Sequence, residues 1–222
     1  MTLIRDLSGL AEWTAASALY RSVFGYTGPE WGLSPRLLAA LRENAGTVIG
    51  AFDGDGTLIG FCYGFTGVEG GAIYHYSQAA VVAASAQGTG VGRLLKQAQA
   101  AAARATGARS MRWTFDPYAL RNAHFNFTVL GAAGIRFLPD FYDEPGTDRV
   151  LVSWDLESGA ATRTNAGESV VAPASDRFAA PEPADRRRLR RRLMDRFAAG
   201  NRLAGVTRTG DAVAYTFENV SS

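Results

Sequence analysis

The stretch Gln87-Gly88-Thr89-Gly90-Val91-Gly92-Arg93 carries the clearest chemical pattern in the chain. Its three glycines at alternate positions let backbone N–H groups converge on an oxyanion, because no Cβ blocks the approach or forbids positive φ. An Ala-rich helical segment follows at once, and a helix start adds unpaired N–H donors and the positive end of its dipole. The stretch reads as a pyrophosphate cradle. A Walker loop would close on Gly-Lys-Ser/Thr, but here Arg93 follows Gly92. A dinucleotide fingerprint would put its third glycine at Arg93 and open the first strand–helix unit of a parallel sheet. Neither condition is met.

Other polar residues stand where chemistry could use them. His75 has the intrinsic pKa of a base at neutral pH. Tyr76 follows it, and strand alternation sends the two side chains to opposite faces, leaving open which one faces a cleft. Ser77 shares the face of His75. Asn122 and Asn126 are i,i+4 neighbours on a predicted helix, where asparagine is a poor interior residue, so a polar pair there points to a binding task. His124 lies off that stripe. Cys62, between Phe61 and Tyr63, reads as a small buried apolar residue rather than a nucleophile.

These residues need a scaffold, and 222 residues suffice for one good core with an appendage. Hydrophobic residues make up 47% and charged residues 20%, the balance of a globular domain. No run approaches the ~18–20 apolar residues of a membrane span, and the N-terminus lacks a signal peptide, so a cytoplasmic protein without membrane contact is expected. One cysteine excludes an internal disulfide framework and a Cys-based zinc site, and two histidines make a metal centre unexpected. The net charge of +2 hides an asymmetry: residues 185–196 hold seven arginines and two aspartates. The remainder of the chain's 23 basic and 21 acidic residues is 16 against 19, which argues against nucleic acid as a partner of the body.

Helical periodicity covers Leu7–Phe24 and Arg36–Asn44, the second opened by Ser34-Pro35. Thr47–Phe52 and Thr57–Phe65 are β-rich runs joined by Asp53-Gly54-Asp55-Gly56, a hairpin signal. Ala72–Ala83 reads as a long strand, followed by the glycine loop and a helix over 90–106. A strand over Arg109–Phe115, a helix over Ala119–Leu130 and strands over Ile135–Phe141 and Arg149–Leu156 complete a predicted α-α-β-β-β-α-β-α-β-β order. This is an α+β chain with a mixed sheet flanked by helices on both faces. Residues 157–183 have the composition of a linker or strap. Residues 184–222 form an arginine-rich helix and a hairpin, too small for a core of their own, which must dock on the main domain or on a second copy in a homodimer.

Gln87-x-x-Gly90-x-Gly92 at a strand-to-helix junction resembles the acyl-CoA-binding motif of the GNAT N-acyltransferase superfamily. The element order and the segment Asn122–Gly131 resemble that family too, over roughly residues 1–156. Trp113–Pro117 and Arg121–Asn126 look like its branch of predicted acetyltransferases. The resemblance implies acyl transfer from acetyl-CoA, or from another acyl-CoA such as succinyl-CoA, to an amine of a small molecule by direct attack. It places the pantetheine arm beside the strand ending in Val81 and Val82, with an N–H near Val82 on the thioester carbonyl. It places the pyrophosphate on the amides of Gln87, Gly88, Thr89, Gly90, Val91, Gly92 and Arg93, with Asn122, Asn126 and Phe127 as further contacts. An amine must lose a proton before it attacks, which makes His75, Tyr76 and Asp116 the catalytic candidates. Where the family often has a tyrosine acid this chain has Phe127, with Tyr118 and Tyr142 as stand-ins. Two further readings are an N-succinyltransferase acting on an amino acid, and a non-catalytic acyl-CoA-binding module that lost the acid. The acceptor is expected against Tyr26–Leu33, with Trp31, and the tail after Ser158.

Overall fold

The structure is a computed structural model that describes residues 1–28, 31–157, 169–173 and 182–219. They form two compact units, Met1–Met111 and Arg112–Ser222. In the first unit the elements run β1 (Leu3–Asp6), α1 (Gly9–Phe24), α2 (Pro35–Glu43), β2 (Thr47–Phe52), β3 (Leu58–Glu69), β4 (Ala72–Val82) and α3 (Val91–Ala105). Strands β1 to β4 pair antiparallel in that order. The hairpin forms because the Asp53 carboxylate accepts the N–H groups of Asp55 and Thr57 at 3.0 and 2.9 Å, a side chain doing the work of a turn hydrogen bond. The short edge strand β1 has no alternating pattern to announce it and was not expected. Apolar residues on the two faces of the sheet build separate cores. Leu7, Ala16, Leu38, Val48, Phe61 and Val81 cluster on one face, while Ile49, Ala51, Cys62, Val91 and Leu95 cluster on the other, against α3.

The long pair β3–β4 is not regular. Tyr63 faces Ala79 and Gly64 faces Ser77, so Gln78 is an extra residue, a β-bulge in β4. A bulge reverses the alternation of all residues beyond it. Hence His75 and Ser77 turn to the α3 side, whereas Ala79 and Val81 turn to the α1–α2 core.

Behind the bulge lies a buried polar seam. Thr47 Oγ1 meets His75 Nε2 at 2.9 Å and accepts from Gln99 Nε2 at 2.9 Å. Ser77 Oγ donates to Gln99 Oε1 at 2.7 Å and accepts from Lys96 Nζ at 2.7 Å. All five side chains are buried. Glycine is required at position 64, since a Cβ there would stand 2.3 Å from the Tyr76 carbonyl and 2.7 Å from His75 Nε2.

The second unit holds α4 (Leu120–His124), which passes into a π-helical turn over Phe125–Val129, then β6 (Ala133–Leu138), β7 (Arg149–Asp155), β8 (Ser169–Pro173), α5 (Pro183–Ala198), β9 (Arg202–Thr209) and β10 (Ala212–Glu218); β5 (Ser110–Phe115) spans the boundary. Its strands run β7-β6-β9-β10-β8. The C-terminal hairpin thus extends the edge of β6, through Gly134 opposite Leu203. Strand β8 lies inside the stretch read as a linker, the rest of which falls mostly outside the described residues. The single helix expected over Ala119–Leu130 is interrupted, because the backbone switches to π spacing where Asn126 and Phe127 turn inward.

The arginine helix is a fastener rather than a bare charged face. Leu189 and Leu193 are buried, and Phe197 packs edge-on to Phe217 at 5.4 Å. Arg190 pairs with Asp140 at 2.6 Å and approaches the buried Asp148 at 3.4 Å. Arg186 donates to the Gly146 carbonyl, and Arg192 to that of Val171 at 3.0 Å. The 140–148 loop is held by this helix. The Asp140 carboxyl lies below its ordinary range, first because Gly146 N–H donates to it and then because of Arg190.

Lys96 makes the buried seam pH-dependent. Burial pulls its ammonium from 10.5 down to about 7. Between those values the unfolded chain binds more protons, so stability rises with pH by up to ~1.4 kcal/mol per unit. Urea melts of wild type and Lys96→Met from pH 7 to 10 should show the wild type gaining on the variant as pH rises. Parallel profiles would contradict the assignment.

Candidate functional site

The loop between β4 and α3 assembles as a donor nest. A single 3-10 turn, Ala84–Ala86, leads out of β4. Thr89 Oγ1 then donates to the Ala86 carbonyl at 2.7 Å, closing the loop on itself. Gly88 and Gly90 have φ of 82° and 91°, values that L residues rarely adopt, and an added Cβ at either would project into open space. Gly90 is the N-cap of α3, and its carbonyl accepts from Arg93 and Leu94 at 3.0 and 3.1 Å. The N–H groups of Val91 and Gly92, in the first turn, have no acceptor within the helix. No acidic residue occupies that turn, and Arg93 is exposed beside it. Val91 is buried against Leu95 and anchors the turn from below. The N–H groups of Gln87 and Arg93, expected in the cradle, are instead taken by the carbonyls of Ala84 and Gly90. Left-handed glycines facing open space, a helix start and an exposed arginine, with no acid in the turn, fit a pyrophosphate.

The end of β4 offers a further donor. Ala83 N–H is taken by Ile59 O at 2.9 Å, so alternation turns the N–H of Val81 toward β3 as well. Val82 then presents its N–H and C=O on the other edge, and its carbonyl accepts from Gln87 Nε2 at 3.1 Å. The side chain of Val81 is buried too. Of the two valines expected to meet a ligand, Val82 has its backbone polar groups on the edge away from β3, and Val81 has its N–H turned toward β3.

His75 is also displaced from its expected role. It is fully buried, its Nε2 is engaged by Thr47, and burial followed by the nearby Lys96 charge lowers its pKa from 6.5 to about 4. A general base must reach the proton it removes, and this ring cannot. Tyr76 points to the opposite face, half-buried, with its ring 5.4 Å from that of Phe65. Gln78, exposed at the bulge, carried no signal in the sequence. Cys62 is sealed beneath α3, and burial pushes its thiol up to about 12. An inert thiol is what the sequence suggested. Tyr20, Phe24, Tyr26 and Trp31 form an aromatic group, with Tyr26 and Trp31 stacked at 5.8 Å and both exposed.

The remaining expected residues lie in the second unit. Phe127 is fully buried edge-on to Phe115 at 5.6 Å, which makes it core and removes it from any ligand contact. Asn126 accepts from Trp113 Nε1 at 3.0 Å, while its buried Nδ2 has no hydrogen-bond partner. Asn122 and His124 are exposed. Asp116 caps its own turn, accepting from Tyr118 N–H at 2.8 Å. Tyr118 donates to Asp148 at 2.7 Å and stacks under Arg186 at 4.4 Å, and burial raises its hydroxyl pKa further, so its proton is already committed. Tyr142 is exposed on the loop.

The sequence model of the Acetyltransferase (GNAT) family matches residues 13–131, more than half of the chain. The chain belongs to this family. No curated protein matches the sequence at a significant level. Many solved GNAT structures share its fold. The ribosomal-protein-S18-alanine N-acetyltransferase of Escherichia coli is 14% identical, with 74% of this chain covering 100% of that one at a TM-score of 0.56. Aminoglycoside 6'-acetyltransferase type Ii is 15% identical over 71% of this chain and 99% of its own, at 0.57. Salmonella typhimurium yncA, solved with its cofactor acetyl-CoA, is 17% identical over 74% and 99%, at 0.58. At these identities the likeness is one of fold. As a GNAT acetyltransferase the chain is an enzyme of the acyltransferase class, and its glycine loop fits the pyrophosphate of CoA.

CoA or acetyl-CoA at about 100 times Kd should stabilise the protein by ~2.7 kcal/mol, a melting shift of roughly 5–10 °C for a chain of this size. Gly90→Val forces a β-branched residue into a left-handed backbone at the helix start. It should remove the shift and leave the circular dichroism spectrum unchanged. A full shift in the variant would remove the loop from CoA binding.

Proposed function

We propose that this GNAT protein is an N-acetyltransferase that moves the acetyl group of acetyl-CoA to the amine of a small molecule by direct attack. The observation that carries this reading is the nest at Gln87–Arg93, with left-handed Gly88 and Gly90 and no carboxylate in the first turn of α3. Acetyl-CoA supplies the acyl group as an activated thioester. The chain supplies position and charge. The N–H groups of Val91 and Gly92, with Arg93, hold the pyrophosphate. The edge N–H of Val82 is the donor for the carbonyl oxygen, a position where one preorganised hydrogen bond is worth roughly 2.7–4 kcal/mol of barrier. Tyr76 replaces His75 as the residue that holds or moves the proton at its hydroxyl, with Gln78 beside it in β4. The exposed rings of Tyr26 and Trp31 suit a cationic amine before it is deprotonated, since a ring face attracts an ammonium.

A non-catalytic acyl-CoA-binding module is the second reading. It is favoured by one observation: His75, one of the candidate bases, is in the core, and so is Phe127, which stands where the family often has a tyrosine acid. Release of CoA thiol across an amine library separates the two. Turnover is expected with acetyl-CoA, lowered about 100-fold or more in kcat by Tyr76→Phe, on the scale of general acid–base contributions. His75→Ala should keep kcat and lose thermal stability through the seam. Turnover with succinyl-CoA and amino acids alone would assign the other donor. Binding without turnover on any amine would make the protein a binding module.

A further inference from the structure

Helix α5 uses its apolar residues within its own unit, where Leu189 and Leu193 are buried and Phe197 packs on Phe217. Its arginines divide into two sets. Arg186, Arg190 and Arg192 are engaged by Gly146, Asp140 and Val171, and Arg188 pairs with Asp185 at 2.8 Å. Arg187 and Arg191 have neither a hydrogen bond nor an ion pair among the described residues, and both are exposed. The structure of the unit therefore leaves these two charges unused.

Their spacing gives the unused charge a shape. Arg187, Arg191 and the exposed Met194 follow at i, i+4 and i+7, so they form one row along the outward face of the helix. The two guanidinium groups are one turn apart, about 6 Å of rise. Arg188 and Arg192 flank the row at the same spacing. The acids of the helix are Asp185, already paired with Arg188, and Asp195, so the face is net positive. Apolar side chains edge it: Met194 closes the row, and the exposed Val171 lies where its carbonyl accepts from Arg192 at 3.0 Å.

Three kinds of polyanion could meet such a face. A lipid surface takes a helix by its apolar face, and that face of α5 is already buried in its own unit. Nucleic acid gains nothing from Met194 or Val171, and outside residues 185–196 it meets a chain with 16 basic residues against 19 acidic ones. An acidic helix fits both features. Its carboxylates at i and i+4 have the same rise as the arginines, a guanidinium takes each through two parallel hydrogen bonds, and an apolar residue in the next turn covers Met194.

We propose that the outward face of α5 docks an acidic helical segment of a partner protein, with carboxylates on Arg187 and Arg191 and an apolar residue on Met194. The full chain is titrated into a fluorescein-labelled peptide of repeated Glu-Ala-Ala-Leu, 16 residues long like α5, and anisotropy is followed. The repeat puts Glu at i and i+4 and Leu at i+7, the spacing of the row. Saturable binding is expected, and the double variant Arg187→Gln, Arg191→Gln should weaken it roughly fivefold or more, on the scale of two exposed ion pairs. An unchanged melting temperature reports an intact fold in that variant, since neither arginine holds a contact. Met194→Ser, which keeps every charge, should weaken binding as well. The same peptide with Lys in place of Glu should not bind. The proposal is overturned if the Glu peptide does not bind, if the double variant binds it as the wild type does, or if the Lys peptide binds equally. Tighter binding of a thymidine oligonucleotide of the same length, or of phosphatidylserine vesicles, overturns it in favour of those partners.

Discussion

The first unit depends on one side chain that bonds two strands at once. Gln99, on α3, donates to Thr47 of β2 and accepts from Ser77 of β4, with neither end exposed to water. A buried amide satisfied at both ends fixes direction far more tightly than apolar packing does, because leaving either end unpaired costs ~1–3 kcal/mol. Apolar contacts with Leu95 and Val91 tie α3 to the sheet. The amide contacts set its rotation and its height along β4. That height decides where the helix starts, and so where Val91 and Gly92 aim their N–H groups. The position of that helix start is an outcome of the seam behind it.

The bulge at Gln78 follows from the same seam. The polar side chains of His75 and Ser77 must face α3 to be satisfied, and the apolar Ala79 and Val81 must face the other core. One strand without an extra residue cannot meet both demands. The extra residue also leaves Val82 with its N–H on the edge away from β3, and exchanges Tyr76 for His75 on the opposite face. In the second unit a comparable role falls to α5. Its arginines tie down a loop that carries Asp140 and the buried Asp148, so an apparently surplus charge run is spent largely on structure.

What the sequence made legible was local. The glycine spacing, the helix behind it, the hairpin at Asp53–Gly56 and the run of Ala72–Val82 are set by neighbouring residues, and each is found where periodicity and turn chemistry put it. The failures share a different cause. His75 is buried by Thr47, a residue 28 positions away, and by the missing side chain at Gly64. Phe127 is buried by Phe115, and nothing near Gln78 marks a bulge. The π-helical turn and the edge strands β1 and β8 are likewise tertiary outcomes, with no propensity signal strong enough to be read from a single chain. Catalytic assignment suffered most, since it depends on which face a strand residue takes, and one unmarked insertion inverts it.

On the function proposed above, backbone amides at the start of α3 hold the pyrophosphate of acyl-CoA. Calorimetric titration of the full chain with acetyl-CoA and with S-acetylpantetheine, which shares the thioester arm and lacks the pyrophosphate, tests it directly. Charge-assisted hydrogen bonds from the nest should make acetyl-CoA bind more tightly by about 2–3 kcal/mol, roughly 30–150-fold, with one site per chain. Equal affinities for the two ligands would contradict the account.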